Sequence, residues 1–435
     1  MSDVDSTPAA SRGAYRYYVL ALLILVYALN FVDRQILAIL AGPIKKELNL
    51  SDGMFGLMSG LSFAFVYSFL AVPVAWLADR KSRVWIMTGA LTVWSGFTAV
   101  CGLAGNFWQL FAARTGVGVG EAGGTAPGYS LISDYFPKAQ RARALAAFSF
   151  GIPIGSAAGI LFGGLIAAFI DWRIAFFVVG GAGLLLAPIF VLTVKEPKRG
   201  ALDAAPAEAG QPAVAHVPVP AARFGEVLKV LLPKPSFWLL AFGAACASVN
   251  GYGVALWLPS FFMRSLGLTL VETSWFYSGI AFFGGVLGIW LGGVLADRLG
   301  AKARGAYPLV PAAAFLIALP CFLLAMNSDS RLVAFALFLI PTGLNLAWLG
   351  PILAAVQHLT GAHMRATASA LFLLINNLVG IALGTYYFGA VSDLLAPHFG
   401  AESLRYAIYS GLGFYVISAT LLIIASRTLR RDWVD

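Results

Sequence analysis

Long apolar runs alternate with short polar breaks along nearly the whole of this 435-residue chain. A helix that crosses a bilayer needs about 20 predominantly apolar residues. Twelve runs reach that length: 17–41, 55–78, 84–104, 108–135, 142–169, 173–194, 236–263, 273–296, 306–326, 332–357, 366–392 and 404–426. The pattern predicts an all-α membrane protein with twelve transmembrane helices. Pro and Gly inside the runs do not oppose this, because neighbouring membrane helices re-satisfy the backbone groups they free. One break is much longer than the rest. Residues 195–234 are rich in Ala and Pro, and their 201–222 stretch reads as extended or disordered chain. Phe224, Val227, Leu228 and Leu231 keep helical spacing, which predicts a short interfacial helix before the seventh run. The pattern divides the chain into a tail (1–16), a six-helix bundle (17–194), a linker (195–234), a second six-helix bundle (235–428) and a tail (429–435).

Composition agrees: 60% of residues are hydrophobic, 11% are charged and the mean hydropathy is +0.83, which excludes a soluble domain of this length. The net charge of +9 changes meaning once it is mapped. Of the 29 Lys and Arg residues, 21 fall in the tails, the linker and one alternating set of loops, six fall in the other set, and Arg34 and Arg114 lie inside runs. This asymmetry orients both termini toward the cytoplasm, so the basic excess reports topology and implies no nucleic-acid partner. Residues 1–16 hold no apolar core of a removable signal peptide. The expected location is a bacterial inner membrane. Cys101, Cys246 and Cys321 fall in three different runs and read as small packing residues, with no metal set and no cofactor motif.

The two halves repeat. Leu77-Ala78-Asp79-Arg80 returns as Leu295-Ala296-Asp297-Arg298, 218 residues on. Pro127 returns as Pro351, and Arg141-Ala142-Arg143-Ala144 as Arg365-Ala366-Thr367-Ala368, both at an offset of 224. A six-span unit repeated in parallel predicts pseudo-two-fold symmetry and is a transporter plan, with the site near the midplane between the halves.

Four charges sit deep inside runs: Asp33 and Arg34 in the first, Arg114 and Glu121 in the fourth. Each costs at least roughly 2.5–3.5 kcal/mol in hydrocarbon unless paired or wet. At 1.5 Å of rise per residue, Asp33 lies about 14 Å from the outer end, between Arg114 at about 9 Å and Glu121 at about 20 Å. Two ion pairs across one helix interface follow from that interleaving. Asn30 lies one turn before Asp33 on the same face. A buried pair is weak evidence for stability, so these residues read as a functional site: Asp33 and Glu121 for protons, Arg34, Arg114 and Asn30 for a charged headgroup.

Gly293-x-Leu295-Ala296-Asp297-Arg298-x-Gly300, in a six-plus-six chain, resembles the loop signature of the major facilitator superfamily, G-x-L-A-D-R-x-G-R-R/K. The first copy departs from it at Ala75, Ser82 and Val84, while Arg83 remains. The resemblance implies that Asp79, Arg80, Arg83, Asp297 and Arg298 form a latch that joins the halves when the cytoplasmic side is shut, an acid resting on a helix N-terminus. Asn30–Arg34, Phe107–Ala122 and Gln140–Gly159 are similar to the spinster family of this superfamily, densely over residues 17–200 and only generically after that. That resemblance implies an amphipathic lipid substrate such as a lysophospholipid or sphingoid phosphate, carried with protons by alternating access. A small organic anion or drug is the alternative substrate. The second half has no deep charge, and Asn376, Asn345 and Tyr252 are its candidates for lining the cavity. With neither nucleophile nor metal pattern, the chain reads as a monomeric transporter and not an enzyme; its expected partners are membrane lipids, protons and a small amphipathic or anionic substrate.

Overall fold

The computed structural model describes residues 9–200, 202, 224–291, 304–346, 348–361 and 364–434. Among these, every regular element is helical. The first half comprises α1 (Ala9–Ile39), α2 (Ala41–Leu48), α3 (Asp52–Ala78), α4 (Arg83–Cys101), α5 (Phe107–Glu121), α6 (Thr125–Tyr135), α7 (Lys138–Ser149), α8 (Gly151–Phe169) and α9 (Trp172–Thr193). After it come α10 (Phe224–Leu231), α11 (Pro235–Ser265), α12 (Leu270–Leu291, with a π-helical turn at Ile280–Gly284), α13 (Ala306–Met326), α14 (Arg331–Leu344), α15 (Leu349–Gln357), α16 (Arg365–Phe399) and α17 (Ser403–Asp432). Ten helical stretches among the described residues are long and apolar enough to cross a membrane.

The structure differs most from the run pattern at the fourth and eleventh runs; the fifth is also interrupted at Phe150, and the tenth ends one helix at Leu344 and starts another at Leu349. The fourth run, 108–135, is not one helix: α5 stops at Glu121 and α6 begins at Thr125. Gly120, Gly123 and Gly124 crowd this point and Pro127 follows, with no N–H to bond the carbonyl of Gly123. The eleventh run extends past 392 to Phe399, where Gly400, at φ +53°, and one 3-10 turn reverse the chain into α17. The short helix expected near 224 is present as α10, and it buries Val227 and Leu231. The extended stretch expected at 201–222 lies outside the described residues except for Leu202, and so do Asp297 and Arg298.

Small residues bring helices to backbone contact. A Cβ on Gly155 would sit 2.1 Å from the Ala28 carbonyl oxygen, and one on Gly159 2.6 Å from that of Val32, so α8 lies directly on α1. That contact occupies the Ala28–Val32 side of α1 and leaves Asp33 and Arg34 for α4 and α5. In the first half, α4 packs on α5 and α9, and α3 packs on α5. In the second, α11 packs on α16 and α17, and α13 on α14 and α17. Among the described residues, the main pairings across the halves are α3 with α16, α8 with α12 and α1 with α11.

At one end of the molecule the halves are tied by charge. Asp52, at the start of α3, takes two hydrogen bonds from Arg264 of α11 at 2.6 and 2.7 Å, one from Ser392 of α16 at 2.8 Å, and pairs with Lys45. In return, Asp393 of α16 accepts from the backbone N–H groups of Asp52 and Gly53 at 2.9 and 2.7 Å. A carboxylate there meets the positive end of α3. At the other end of α3, Asp79 and Arg80 are exposed, and their described partners belong to the first half and the start of the linker. Arg199 donates to the carbonyls of Ala78, Asp79 and Lys81, and Arg80 lies 3.9 Å over the Trp76 ring.

Candidate functional site

The four deep charges meet at the centre of the first half. Arg114 Nη1 lies 3.2 Å from Asp33 Oδ1, and Arg34 Nε lies 2.8 Å from Glu121 Oε2. α1 thus contributes one acid and one base, α5 one of each, and every pair crosses the α1–α5 interface. Asp33, Arg114 and Glu121 are essentially sealed from solvent, while the Arg34 side chain keeps 16% exposure. In such surroundings an unpaired charge is far more costly than a paired one, so the four are bound into one electrostatic unit.

The pairs are not fully satisfied. Glu121 Oε1 and Arg114 Nε have no hydrogen-bond partner. Glu121 is the last residue of α5, directly before the break at Ala122–Gly124, so the acid stands at a discontinuity in its own helix. Arg34 is stacked among rings: its guanidinium carbon lies 5.3 Å from the Phe31 ring centre, 4.8 Å from Phe63 and 5.1 Å from Tyr67. The planar cation rests on aromatic faces, with one edge held by Glu121.

Of the residues anticipated from the sequence, Asp33, Arg34, Arg114 and Glu121 come together. Tyr252 of α11 joins them from the second half, near enough to Arg34 and Glu121 to feel both charges. Asn30 does not enter the ion pairs. It is buried, its Oδ1 is unpartnered, and it faces a small cavity lined by Tyr27, Met87, Trp94, Thr125 and Phe148. Asn376 and Asn345 are engaged elsewhere in the second half: Ser248 donates to Asn376 at 2.9 Å, and Tyr415 to Asn345 at 3.2 Å. Arg83 is buried and bound by the first half and the start of the linker. It pairs with Asp134 and with Glu196 at 2.7 Å, and donates to Ser130 Oγ at 2.8 Å.

Sequence reasoning missed Thr98 of α4, which donates to Asp33 Oδ2, the tyrosines Tyr27 and Tyr67 near Arg34 and Tyr252, and Tyr129 beside those two. None carries a sequence signal. A Thr in an apolar helix ordinarily bonds its own turn, and a Tyr there reads as bulk. Glu196 was also missed. It accepts from the Val84 N–H at 3.0 Å and from Ser82 Oγ at 2.9 Å at the start of α4. Burial acts to raise its pKa, but those hydrogen bonds and Arg83 outweigh it and hold the carboxyl below its usual range.

Comparison with known proteins converges on one family. The model of the Major Facilitator Superfamily matches residues 23–385. The chain is 33% identical over 434 residues to an MFS-type efflux pump of Mycolicibacterium smegmatis, covering 99% of this chain and 98% of that protein. It is 31% identical over 441 residues to protein spinster homolog 1 of Xenopus laevis, covering 94% of this chain and 82% of that one. Its fold matches the crystal structure of a bacterial homolog to the human lysosomal transporter spinster, in an inward-facing and unoccupied conformation, with a TM-score of 0.83 and 30% identity over 97% of this chain and 99% of that one.

Proposed function

Because this chain belongs to the Major Facilitator Superfamily and is a multi-pass membrane transporter of the spinster type, we propose that it carries an amphipathic lipid with a phosphate headgroup, a lysophospholipid or sphingoid phosphate, coupled to protons. The observation that carries this reading is the Arg34–Glu121 pair. Here a base that suits phosphate is held by an acid with one unpartnered oxygen, beside aromatic rings and a tyrosine from the other half. While Glu121 is ionised it neutralises Arg34. When it takes a proton, the guanidinium loses its counter-charge in a poorly hydrated site. An anionic headgroup is then the partner that restores neutrality. Asp33 and Arg114 form the second pair, with Asp33 beside Arg34 on α1 and Arg114 two turns before Glu121 on α5, and the two acids are the proposed proton carriers.

The architecture proposed with this function is two six-helix bundles, 17–194 and 235–428, making twelve crossings. The ten long stretches reach twelve if the broken α5–α6 is taken as one crossing and the continuous Thr367–Asp432 stretch as two. The excess of Lys and Arg in one set of loops supports an orientation with both termini in the cytoplasm of a bacterium. In that orientation the tied end at Asp52 is external, the Asp79 end faces the cytoplasm, and the chain works as a monomer. A second reading, a proton-driven exporter of a small organic anion or drug, is favoured by the similarity to the Mycolicibacterium smegmatis efflux pump.

Both readings make the acids essential. Reconstituted Asp33→Asn and Glu121→Gln variants are expected to fold and to lose pH-driven flux, since amides keep the shape but cannot titrate. Full proton-linked flux in both variants would sink the coupling. Competition by lysophospholipid against an organic anion separates the substrates.

A further inference from the structure

We propose that Thr98 is a positioning residue that lets Asp33 change protonation state without losing a hydrogen bond. This rests on the proton-coupled reading above. The side chain of Thr98 is wholly buried on α4, and its single hydroxyl stands between two acceptors: Asp33 Oδ2 on α1 and the carbonyl oxygen of Trp94, one turn earlier on α4, at 2.8 Å. A hydroxyl has one proton to give and two lone pairs to accept with. It therefore cannot donate to both neighbours at once.

With Asp33 ionised, the Thr98 proton points at the carboxylate, and the Trp94 carbonyl relies on its helical N–H bond. With Asp33 protonated, the carboxylic O–H donates to Thr98 Oγ1, and the Thr98 proton swings onto the Trp94 carbonyl. Each state keeps an unbroken chain of donors, and the change is one torsion of a hydroxyl, not a movement of helices. In a buried site this matters because a group left unsatisfied in either state would cost its full desolvation penalty.

The other groups that face Asp33 cannot do this. Arg114 on α5, at 3.2 Å, is a donor only and serves the ionised state alone. Arg34 on its own helix and Glu121 on α5 contribute charge at longer range, and the thiol of Cys101, one turn beyond Thr98, is near both Arg114 and Asp33 but is a weak hydrogen-bonding group that faces the Arg114 donor. Tyr252 of α11 answers to Arg34 and Glu121. α8, packed along the opposite side of α1, contains no titratable residue.

The bond lost on removing the hydroxyl is stronger in the ionised state than in the neutral one, because a carboxylate acceptor makes the shorter, tighter bond. Thr98→Val, nearly the same shape, is therefore expected to move Asp33 protonation to higher pH by about one unit, a tenfold change in the protonation ratio. Thr98→Ser, which keeps the hydroxyl, is expected to match the parent. The measurement is an infrared titration of the protonated-carboxyl band on the purified full chain, with Asp33→Asn to assign the band. It needs no substrate. A Thr98→Val midpoint equal to the parent's, or a Thr98→Ser shift as large as that of Val, overturns the proposal. A Thr98 with only a packing role would lower thermal stability and leave the midpoint in place. If Asp33→Asn removes no part of the titration, the proton-coupled reading itself has failed, and this inference fails with it.

Discussion

Arg34 shows how much of the site depends on the geometry of one side chain. It is the most accessible of the four deep charges, and its guanidinium meets Phe31, Phe63 and Tyr67 while its Nε holds Glu121. Lysine at this position would keep the charge and lose both the planar stacking and the fork that suits a phosphate. Cation–ring contact is worth roughly 0.5–2 kcal/mol, and tenfold in affinity is about 1.4 kcal/mol. Arg34→Lys is therefore expected to weaken binding of a phosphate-headed lysolipid by about tenfold or more, read by calorimetry in detergent at one pH. Unchanged affinity would remove Arg34 from the headgroup site.

At the scale of elements, the first half is held by caps and clamps as well as by apolar packing. Glu196, just past α9, reaches the first turn of α4 and meets the Val84 N–H, Ser82 and the buried Arg83, while Asp134 at the end of α6 holds the same guanidinium. One cation thus gathers the ends of three helices. Because the folded Glu196 pKa is depressed, its contribution is fully present above the unfolded value and is lost as pH falls through the folded one. Glu196→Gln is expected to lower the thermal midpoint in detergent near neutral pH. The gap to the parent closes as the medium is acidified through that range. A gap that persists in acid would mean that shape, and not charge, makes the clamp. The broken α5–α6 pair belongs to the same scale. The break brings Glu121 to a helix end, where its carboxylate has one free oxygen.

For the whole molecule, the two ends of α3 make unequal contacts. At the tied end a neutral quartet spans the halves: Asp52 and Asp393 against Lys45 and Arg264. Removing one carboxylate leaves two cations facing each other, which a partly buried interface does not tolerate. Asp52→Asn is expected to populate forms open at that end, seen as longer label-to-label distances between α3 and α16. Asp79→Asn is expected to shift the balance toward forms open at the Asp79 end, because it removes the acid proposed to latch that end when shut. A shift of about 1.4 kcal/mol in either direction changes a two-state ratio tenfold. Distance distributions unchanged in both variants would leave these residues without a role in access.

The sequence by itself determined where helices form and which charges matter. Hydrocarbon tolerates only satisfied backbone, so apolar length alone marks the spans. A buried charge is so costly that Asp33, Arg34, Arg114 and Glu121 stood out without a structure. The interleaved depths of those four even implied the pairing, because the rise of a helix is constant. What only the tertiary structure decided was which uncharged residues meet the charges. Thr98, Tyr67 and Tyr27 look like ordinary span residues, and Asn30, on the face of Asp33, turned out to border a separate cavity. Neutral polar residues are cheap enough in a helix to sit anywhere, so their positions carry no signal until packing brings them to a partner. The same holds for the closure at Asp52. Lys45, Asp52, Arg264 and Asp393 lie up to 348 residues apart in the chain and each reads as an ordinary helix-end charge. Only the docking of α3 against α11 and α16 makes them one contact.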